Sequence, residues 1–323
     1  MRALVFHGPH DLRVERLPDP VPGPGEVLIR VAATGICGSD LHGYTGENGR
    51  RHPGQVMGHE TVGYLQDAGT LVTVNPVIGC GDCPQCAAGT EQLCARRRII
   101  GVDPTYRSAF AELMVVPAGN VVALPPDTPM EYGALVEPLS VGYHAAVRGA
   151  VDAGDRVLVI GGGPIGQACA LAARRLGATD VVVSEPNPRR RALVSRLGFD
   201  AAAPSDVDIA ATVVLDAVGS SASLAAAFAA STLGARVVLV GMNAPEVTVA
   251  AYAVSTYERS VIGSFCYPSA EFRATAEWVA TRPPGLEHLV EGRSGLGGAP
   301  DAFAGLASGA LDASKILVRC GEA

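Results

Sequence analysis

Two different hydrophobic patterns divide the chain. In its first part, short apolar runs such as residues 3–6 and 27–32 are separated by turn residues and by loops rich in Gly and Cys. From about residue 155 onward, continuous apolar strands alternate with helical segments. The first pattern predicts a mostly β region, and the second predicts a parallel sheet with crossover helices.

The second pattern predicts a doubly wound unit over residues 143–266. Its strands are predicted at 156–160, 180–184, 213–216, 236–240 and 260–265, with helices at 164–177, at 188–197 and after Ser220. The remaining tail, with a helix at 271–280 and a strand at 315–318, is too small to bury a core of its own. We therefore expect an α/β protein in which residues 1–142 and 267–323 form one domain and residues 143–266 the other.

Composition narrows the setting in which this protein works. At 323 residues the chain is too long for one ordinary core, and its net charge of -7 disfavours nucleic acid as a partner. No apolar run approaches the roughly 20 residues that span a bilayer, and the N-terminus lacks the features of a signal peptide. We therefore expect a cytoplasmic protein without a membrane partner. Its eight cysteines should be reduced and available as metal ligands.

Four of these cysteines form the pattern C-x2-C-x2-C-x7-C. Four thiolates on so short a segment can surround one Zn²⁺ tetrahedrally. The alternatives are an iron–sulfur cluster or four unrelated buried cysteines, and the tight spacing favours zinc. Because four sulfur ligands leave no open position, we expect a structural zinc at Cys80, Cys83, Cys86 and Cys94.

A second candidate metal site combines a thiol, an imidazole and carboxylates. Cys37 lies in GICGSDLH, and His59 and Glu60 lie in GHE. This mixed set suits a zinc that keeps one position open for a reactant. Glu137 is a candidate further ligand, because it precedes the second region, where a cleft between domains is expected. Each residue alone is more often a packing residue, so the prediction depends on their combination.

A glycine motif, G-x-G-x-x-G, follows the predicted strand 156–160 and opens a helix. Its glycines permit a sharp turn and let a pyrophosphate approach the helix N-terminus. This context predicts a dinucleotide site. The candidate cofactor contacts are Gly161, Gly163, Pro164, Ile165, Gly166, Val218, Gly219 and Lys315.

Glu185 ends the next predicted strand, about 20 residues after the glycine motif. A carboxylate there binds the hydroxyls of the adenosine ribose and repels a 2′-phosphate. Arg190, within the arginines at 189–191, is a candidate cofactor contact that could instead attract a 2′-phosphate or belong to a solvated helix face. The carboxylate favours NAD over NADP.

Together, GICGSDLH, GHE, the four-cysteine segment, VEPLSVGYHA and VLVIGGGPIG resemble the medium-chain zinc-dependent alcohol dehydrogenase family over nearly the whole chain. VEPLSVG and SEP are most similar to its sorbitol, threonine and butanediol dehydrogenase branches. The resemblance implies a GroES-like, mostly β catalytic domain with two zinc ions and a Rossmann NAD-binding domain. It also implies hydride transfer between a secondary alcohol, such as a polyol, cyclitol or amino alcohol, and NAD, which gives the ketone.

The same resemblance implies roles for individual residues. Ser39 and His42 match the family's proton relay, and Asp40 matches the carboxylate that orients the ligand histidine. The implied catalytic zinc ligands are Cys37, His59 and Glu60, with Glu137 either a fourth ligand or bonded to the zinc-bound water. The candidate substrate pocket contains Tyr44, Phe110, Phe265 and Tyr267, each of which could equally be a packing residue.

Two segments depart from the family pattern. The connection between GHETVGYLQDAG and TLVTVNPVIGC lacks about ten residues, where members of the family carry a VGDRV-type hairpin. RSAFAEL replaces the usual glycine-rich GGFAEY. Both changes could reshape the edge of the cleft and alter which substrate it accepts.

Two other functions compete with this interpretation. One is a zinc-independent quinone or enoyl reductase of the same fold, and the other is a member that has lost activity. Neither requires both zinc motifs, so zinc-dependent dehydrogenase chemistry is favoured. The resemblance also implies a homodimer or homotetramer, assembled through the strand at 260–265.

Overall fold

The computed structural model describes residues 1–47 and 49–321 and divides into two compact units. Unit 1 comprises Met1–Glu137 and Tyr267–Ala323, and unit 2 comprises Pro138–Cys266. The first boundary follows Glu137, whereas the sequence analysis put it after residue 142. One helix, Met130–Arg148, runs through both positions, so the secondary structure has no break at either.

The elements are numbered in chain order. Those before the second unit are β1 (Arg2–Gly8), β2 (Asp11–Arg16), β3 (Glu26–Gly35), α1 (Gly38–Thr45), β4 (Gln55–Val56), β5 (Glu60–Leu65), β6 (Leu71–Val74), β7 (Val77–Ile78), α2 (Pro84–Ala87), β8 (Arg98–Ile99), β9 (Leu113–Pro117), β10 (Val121–Ala123) and α3 (Met130–Arg148). Those that follow are β11 (Arg156–Ile160), α4 (Pro164–Arg175), β12 (Asp180–Ser184), α5 (Pro188–Arg196), β13 (Asp200–Ala202), β14 (Ala211–Asp216), α6 (Ser221–Ala229), β15 (Ser231–Leu239), α7 (Ala251–Ser255), β16 (Ser260–Gly263), α8 (Ser269–Ala280), β17 (Gly292–Gly295), α9 (Ala299–Ser308) and β18 (Ile316–Arg319).

Unit 1 is built around β3. This strand pairs antiparallel with β5, β9 and β18 in a seven-stranded sheet. Its alternate residues Ile29, Val31 and Ala33 are completely buried, as expected for side chains that point from a strand into a core. The tail of the chain therefore supplies β18 to the same sheet that carries the candidate metal ligand Glu60, at the start of β5.

The shortened connection noted in the sequence is a tight turn between β5 and β6. Residues 66–70 close it, with Gly69 in the left-handed region at φ +64°. The Gly69 amide donates to the Leu65 carbonyl at 2.8 Å. Glycine adopts this conformation without a steric penalty, so the two strands remain paired across a very short loop.

Unit 2 is a six-stranded parallel sheet in the order β13-β12-β11-β14-β15-β16, flanked by helices. Consecutive residues Val157, Leu158 and Val159 are all buried, because helices cover both faces of the sheet. The predicted doubly wound α/β fold is confirmed.

Strand bounds in unit 2 agree with the prediction where the apolar run is continuous. The strands predicted at 156–160 and 180–184 are confirmed at both ends. β15 begins earlier than predicted, at Ser231, because Gly234 at φ +70° lets the strand continue through an irregular register. β16 ends at Gly263, which makes it shorter than the predicted 260–265.

Among the described residues, no helix is both long enough and apolar enough to cross a lipid bilayer.

Candidate active site

The four cysteines predicted to bind one zinc lie together in unit 1. The sulfur atoms of Cys80, Cys83, Cys86 and Cys94 are all within 4.8 Å of one another. Cys83 caps α2, and its sulfur accepts a hydrogen bond from the Cys86 amide at 3.5 Å. Since Zn²⁺ binds thiolate sulfur at about 2.3 Å, only small shifts are needed for all four to reach one ion.

The surroundings of this cysteine cluster are partly exposed to solvent. Of the four cysteines only Cys94 is buried, and Arg96, which contacts one of the sulfurs, has a side chain 63% exposed. Arg96 donates to Cys80 Sγ at 3.2 Å and also pairs with the exposed Asp82. No position is left for a reactant once four sulfurs bind an ion, so the geometry suits a structural metal.

The second set of ligands is assembled by strand pairing. Cys37 follows the end of β3 and caps α1, while Glu60 begins β5, with Gly35 and Glu60 paired across the two strands. One ligand atom each from Cys37, His59 and Glu60 lies within 4.8 Å of the other two. The antiparallel register of β3 and β5 therefore brings these residues together.

Two glycines make room for this cluster. A Cβ atom at Gly35 would lie 1.8 Å from Glu60 Oε2, so any side chain there would displace the carboxylate. Gly58 adopts φ +101°, and a Cβ there would lie 2.9 Å from the backbone nitrogen of Phe110. The glycine of GHE is thus needed for close backbone approach beside the ligands.

The residues of this cluster fit a zinc ion. A thiolate, an imidazole and a carboxylate suit Zn²⁺, which binds them at about 2.0–2.3 Å. Burial opposes protonation of His59, but Asp40 and Cys37 outweigh it and hold the pKa of His59 well above its usual value. Because imidazole binds a metal in its neutral form, binding of an ion here would release that proton.

Lys315 pairs with Glu60 inside the protein. Its ammonium group donates to both carboxylate oxygens of Glu60, at 2.5 and 2.6 Å, and to the Ile36 carbonyl at 3.1 Å. Burial disfavours the ammonium, but Glu60 outweighs it and raises the pKa of Lys315. These contacts support a role in fixing Glu60, and the predicted contact of Lys315 with the cofactor stays a prediction.

Asp40 lies behind the imidazole of His59. Asp40 Oδ1 is 3.7 Å from His59 Nδ1, and within the described residues neither atom has a hydrogen bond. Asp40 Oδ2 accepts a hydrogen bond from the Cys37 amide at 3.2 Å. The carboxylate is therefore placed to accept a hydrogen bond from Nδ1–H of His59 when Nε2 binds an ion.

Glu137 is buried near the same cluster but outside the set of three ligand atoms. Its Oε1 accepts a hydrogen bond from the Tyr267 hydroxyl at 2.8 Å. Burial raises the pKa of Glu137, while His59 acts in the opposite direction. This bond joins the last residue before the chain leaves unit 1 to the first residue on its return.

Ser39 and His42, the predicted proton relay, lie three residues apart on α1, which places them on one face of the helix. His42 is partly exposed, and its Nε2 lies 4.0 Å from Glu47 Oε2. The pair therefore extends from the Cys37 end of the helix toward solvent.

The predicted pocket residues have different surroundings. Tyr44 and Phe110 are buried in the core of unit 1, where each packs edge-to-face against Phe303. Tyr267 is also buried, whereas Phe265, in unit 2, is 41% exposed. The observed contacts of Tyr44 and Phe110 support packing, and contact of the four residues with substrate stays a prediction.

The glycine loop of unit 2 has room for a ligand on one side. Gly161 turns at φ +96°, and a Cβ at Gly166 would lie 1.7 Å from the Gly161 carbonyl oxygen. A Cβ at Gly163 would have no atom within 4 Å, so space remains beside the N-terminus of α4, which begins with Pro164 and Ile165. Free amides at a helix N-terminus bind phosphate oxygens, and this loop therefore fits a dinucleotide pyrophosphate.

Glu185 is buried beside this loop. Its Oε2 accepts a hydrogen bond from the Gly162 amide at 2.7 Å, and its Oε1 accepts one from the Asn187 amide at 2.8 Å. Arg191 donates to the carbonyl oxygens of Glu185 and Pro186. Backbone contacts therefore fix the carboxylate next to the glycines, and they tie down one of the three neighbouring arginines.

The loop after β14 contains the other predicted cofactor contacts of unit 2. Asp216 Oδ1 accepts hydrogen bonds from the amides of Val218 and Gly219, and its Oδ2 accepts one from the Ser223 hydroxyl. The sequence analysis did not single out Asp216. A buried aspartate at the end of a parallel strand, two residues before a candidate contact, is the signal that could have found it.

Sequence reasoning also missed the pairing of Lys315 with Glu60 and of Tyr267 with Glu137. Residues more than 100 positions apart in the chain form both contacts. The only sequence signal for the contact of Lys315 with Glu60 is a lysine at the start of a predicted apolar strand. Exposed lysines occur at such positions too, so this signal does not identify a buried ion pair.

Comparison with known proteins extends these observations. The chain matches the alcohol dehydrogenase GroES-like domain over residues 23–126 and the zinc-binding dehydrogenase domain over residues 164–281. It is 32% identical to the 2-dehydro-3-deoxy-L-galactonate 5-dehydrogenase of Pseudoalteromonas atlantica, with 93% of each chain covered. It is also 32% identical to the sorbitol dehydrogenase of Macaca fascicularis, over 98% of this chain and 95% of the relative. A solved structure from Sinorhizobium meliloti 1021, assigned to the zinc-binding dehydrogenases and bound to NADP, has a TM-score of 0.90 at 30% identity and covers 98% of both chains.

Proposed function

Because the chain belongs to the medium-chain zinc-dependent alcohol dehydrogenase family, we propose that it oxidises a secondary alcohol to a ketone with NAD as hydride acceptor. The observation that carries the proposal is the cluster of Cys37, His59 and Glu60. It is a three-ligand set in which His59 and Glu60 are buried and Cys37 is partly buried, in contrast to the closed four-sulfur cluster. Three protein ligands leave one metal position for a reactant.

Each part of the site has a separate task in this proposal. Zinc at Cys37, His59 and Glu60 would polarise the alcohol oxygen, and the nicotinamide would accept the hydride from the alcohol carbon. Asp40 orients His59, Lys315 holds Glu60, and Glu137 serves either as a further ligand or as a partner of bound water. These side chains fix the ligand set before the substrate arrives.

The alcohol proton leaves by way of α1 in this proposal. The Ser39 hydroxyl accepts it and passes it toward His42, whose side chain is 42% exposed and can release it to water. The net reaction converts an alcohol and NAD into a ketone, NADH and one released proton.

Support for NAD comes from Glu185. Its carboxylate is buried and fixed by two backbone amides beside the glycine loop, so a 2′-phosphate bound there would meet a negative charge. The related structure bound to NADP makes this a point to test. We expect NAD to give the higher kcat/KM, and Glu185→Gln to narrow the preference by about 10-fold, which corresponds to about 1.4 kcal/mol. An equal or higher kcat/KM with NADP in the wild-type protein would overturn the assignment.

The substrate class we propose is a polyol, cyclitol or amino alcohol. Support comes from the relatives, which are named for oxidation of a sugar acid and of sorbitol. We further propose two zinc ions per chain, supported by the two ligand clusters, and a cytoplasmic setting, supported by cysteines that form no disulfide among the described residues.

We also propose that the protein assembles as a homodimer or homotetramer through β16. This strand lies at the edge of the parallel sheet and pairs with β15 on its inner side. Its outer side can pair with a second copy, and its Val261 is 38% exposed. Light scattering should give a mass of two or four chains, and a charged residue in place of Val261 should lower it. A monomeric wild-type protein would refute the assembly.

The direct test of the function is NADH formation by zinc-replete protein with a panel of polyols, cyclitols, sugar acids, threonine, 2,3-butanediol and simple alcohols. We expect turnover with a hydroxylated compound, and loss of that turnover after removal of the metal by a chelator. Turnover that survives complete loss of metal from the Cys37 cluster would overturn the proposal, as would inactivity in both directions with every compound.

A further inference from the structure

A buried arginine lies behind the candidate catalytic site. The side chain of Arg51, in the loop between α1 and β4, is only 2% exposed. Burial of a guanidinium group is costly unless a carboxylate compensates it. We therefore expect Arg51 to have a carboxylate partner inside the protein.

The partner of Arg51 is Asp40. Arg51 Nη2 lies 3.6 Å from Asp40 Oδ1, the oxygen that is also 3.7 Å from His59 Nδ1. The other oxygen of Asp40 accepts the Cys37 amide hydrogen bond described above. Asp40 thus contacts two of the three ligand residues, and Arg51 is next to the oxygen that faces the histidine.

Helix α1 holds Arg51 in this position. Arg51 Nη2 donates to the Ser39 carbonyl at 3.4 Å. At Gly43 the helix lacks a side chain, and a Cβ there would lie 2.6 Å from Arg51 Cγ and 2.8 Å from Nε. The stem of Arg51 therefore occupies space that only glycine leaves at this position.

Asp40 Oδ1 is close to both the Arg51 guanidinium and His59 Nδ1, and a carboxylate oxygen accepts hydrogen bonds from such donors. This oxygen then favours a proton on Nδ1 of His59, which leaves the lone pair of Nε2 to bind an ion. Lys315 compensates the charge of Glu60, and Arg51 compensates the charge of Asp40.

We propose that Arg51 is a positioning residue for the metal-binding histidine, acting through Asp40. The inference depends on the proposed function, because it takes the Cys37 cluster as the catalytic metal site. It predicts that loss of Arg51 weakens metal retention and turnover at this cluster and leaves the four-cysteine cluster unchanged.

The test measures the rate at which cobalt-substituted protein releases Co²⁺ to a chelator. The visible absorption of cobalt at the Cys37 cluster monitors this release. Partners of metal-binding residues typically contribute 10- to 100-fold to affinity or activity, so we expect Arg51→Met to release cobalt about 10-fold faster. Arg51→Lys should fall between Met and wild type, because lysine keeps the charge but not the planar fork. We expect kcat to fall while the KM for NAD stays unchanged.

Arg13→Met is the matched control. Arg13 forms a two-point pair with Asp11 at 2.7 and 2.8 Å, but its side chain is 62% exposed and distant from the metal ligands in the chain. Cobalt release and turnover should match wild type. A similar loss in this control would mean that removal of any arginine–aspartate pair has the same effect, which would overturn the proposal.

Gly43→Ala tests the same contact without removing the charge. Alanine favours helix more than glycine does, so faster cobalt release from this variant would arise from displaced Arg51 and not from a weaker helix. We expect a smaller effect in the same direction, and this variant carries the test if Arg51→Met does not fold. Release from a folded Arg51→Met as slow as from wild type would overturn the inference and leave the proposed function intact. Absence of any ion from the Cys37 cluster of wild type would overturn both.

Discussion

The two ligand clusters differ in how far apart their residues lie in the chain. The four cysteines occupy one short segment, whereas Cys37 meets His59 and Glu60 only when β3 pairs with β5. Lys315, which holds Glu60, lies 255 residues further along the chain. A metal at the cysteine cluster can therefore order a local segment, but the other cluster requires the complete sheet of unit 1.

The electrostatic surroundings of the clusters differ as well. The side chain of Lys315 is 3% exposed and that of Arg96 is 63% exposed. Charges interact more strongly when water is excluded, so a charge change beside the Cys37 cluster should have much larger effects than one beside the cysteine cluster. This difference in solvent access suits the Cys37 cluster to chemistry and the four-cysteine cluster to structural support.

The largest expected effect follows from Cys37→Ser. Loss of a thiolate ligand should remove the metal and several kcal/mol of transition-state stabilisation, which corresponds to a decrease in kcat/KM of about 1000-fold. Steady-state NADH formation measures it. The thermal midpoint serves as the control, and we expect a much smaller change there. Turnover close to that of wild type would contradict the assignment.

The next effect concerns stability. Lys315→Met should leave the Glu60 carboxylate buried without its cation, and breaking a buried pair costs about 3–5 kcal/mol. Urea unfolding, monitored by circular dichroism, measures the free energy of unfolding. A loss below about 1 kcal/mol would mean that solvent or the bound metal compensates Glu60 in place of Lys315.

A smaller effect is expected from Cys94→Ser. Removal of one ligand should weaken the structural metal and lower stability by about 2 kcal/mol, which corresponds to roughly 4–8 °C in Tm for a domain of this size. Differential scanning calorimetry of Cys94→Ser and Cys37→Ser compares their Tm values. Turnover below the transition should fall far less than in Cys37→Ser, and an equal fall would remove the distinction between the clusters.

The smallest effect is expected from Arg96→Met. Its partner Asp82 is 66% exposed, and exposed pairs contribute about 0–1 kcal/mol. The urea midpoint should therefore change little, in contrast to that of Lys315→Met. A loss as large as that of the lysine variant would show that Arg96 is needed to hold the thiolates.

Local sequence signals predicted much of the fold. The strands at 156–160 and 180–184 were predicted at both ends, because each is a continuous apolar run buried on both faces. The helix Met130–Arg148 was not predicted. Pro138 lies inside it, and a proline normally indicates the end of a helix.

The candidate site divides in the same way. Short spacings in the sequence predicted the cysteine cluster and the glycine loop, and the structure brings together the residues of each. The contacts of Lys315 with Glu60 and of Tyr267 with Glu137 have no such signal, because they join residues more than 100 positions apart in the chain. Such contacts form only in the folded protein, so the local hydrophobic pattern of the sequence does not predict them.

The most direct test of this account is the number of zinc ions per chain in the wild type and in Cys37→Ser, measured by atomic emission on the same preparations used for NADH formation. We predict two ions in the wild type and one in the variant, with turnover lost together with the missing ion. Two ions in the variant, or one ion with turnover intact, would contradict the assignment of Cys37, His59 and Glu60 as the catalytic metal site.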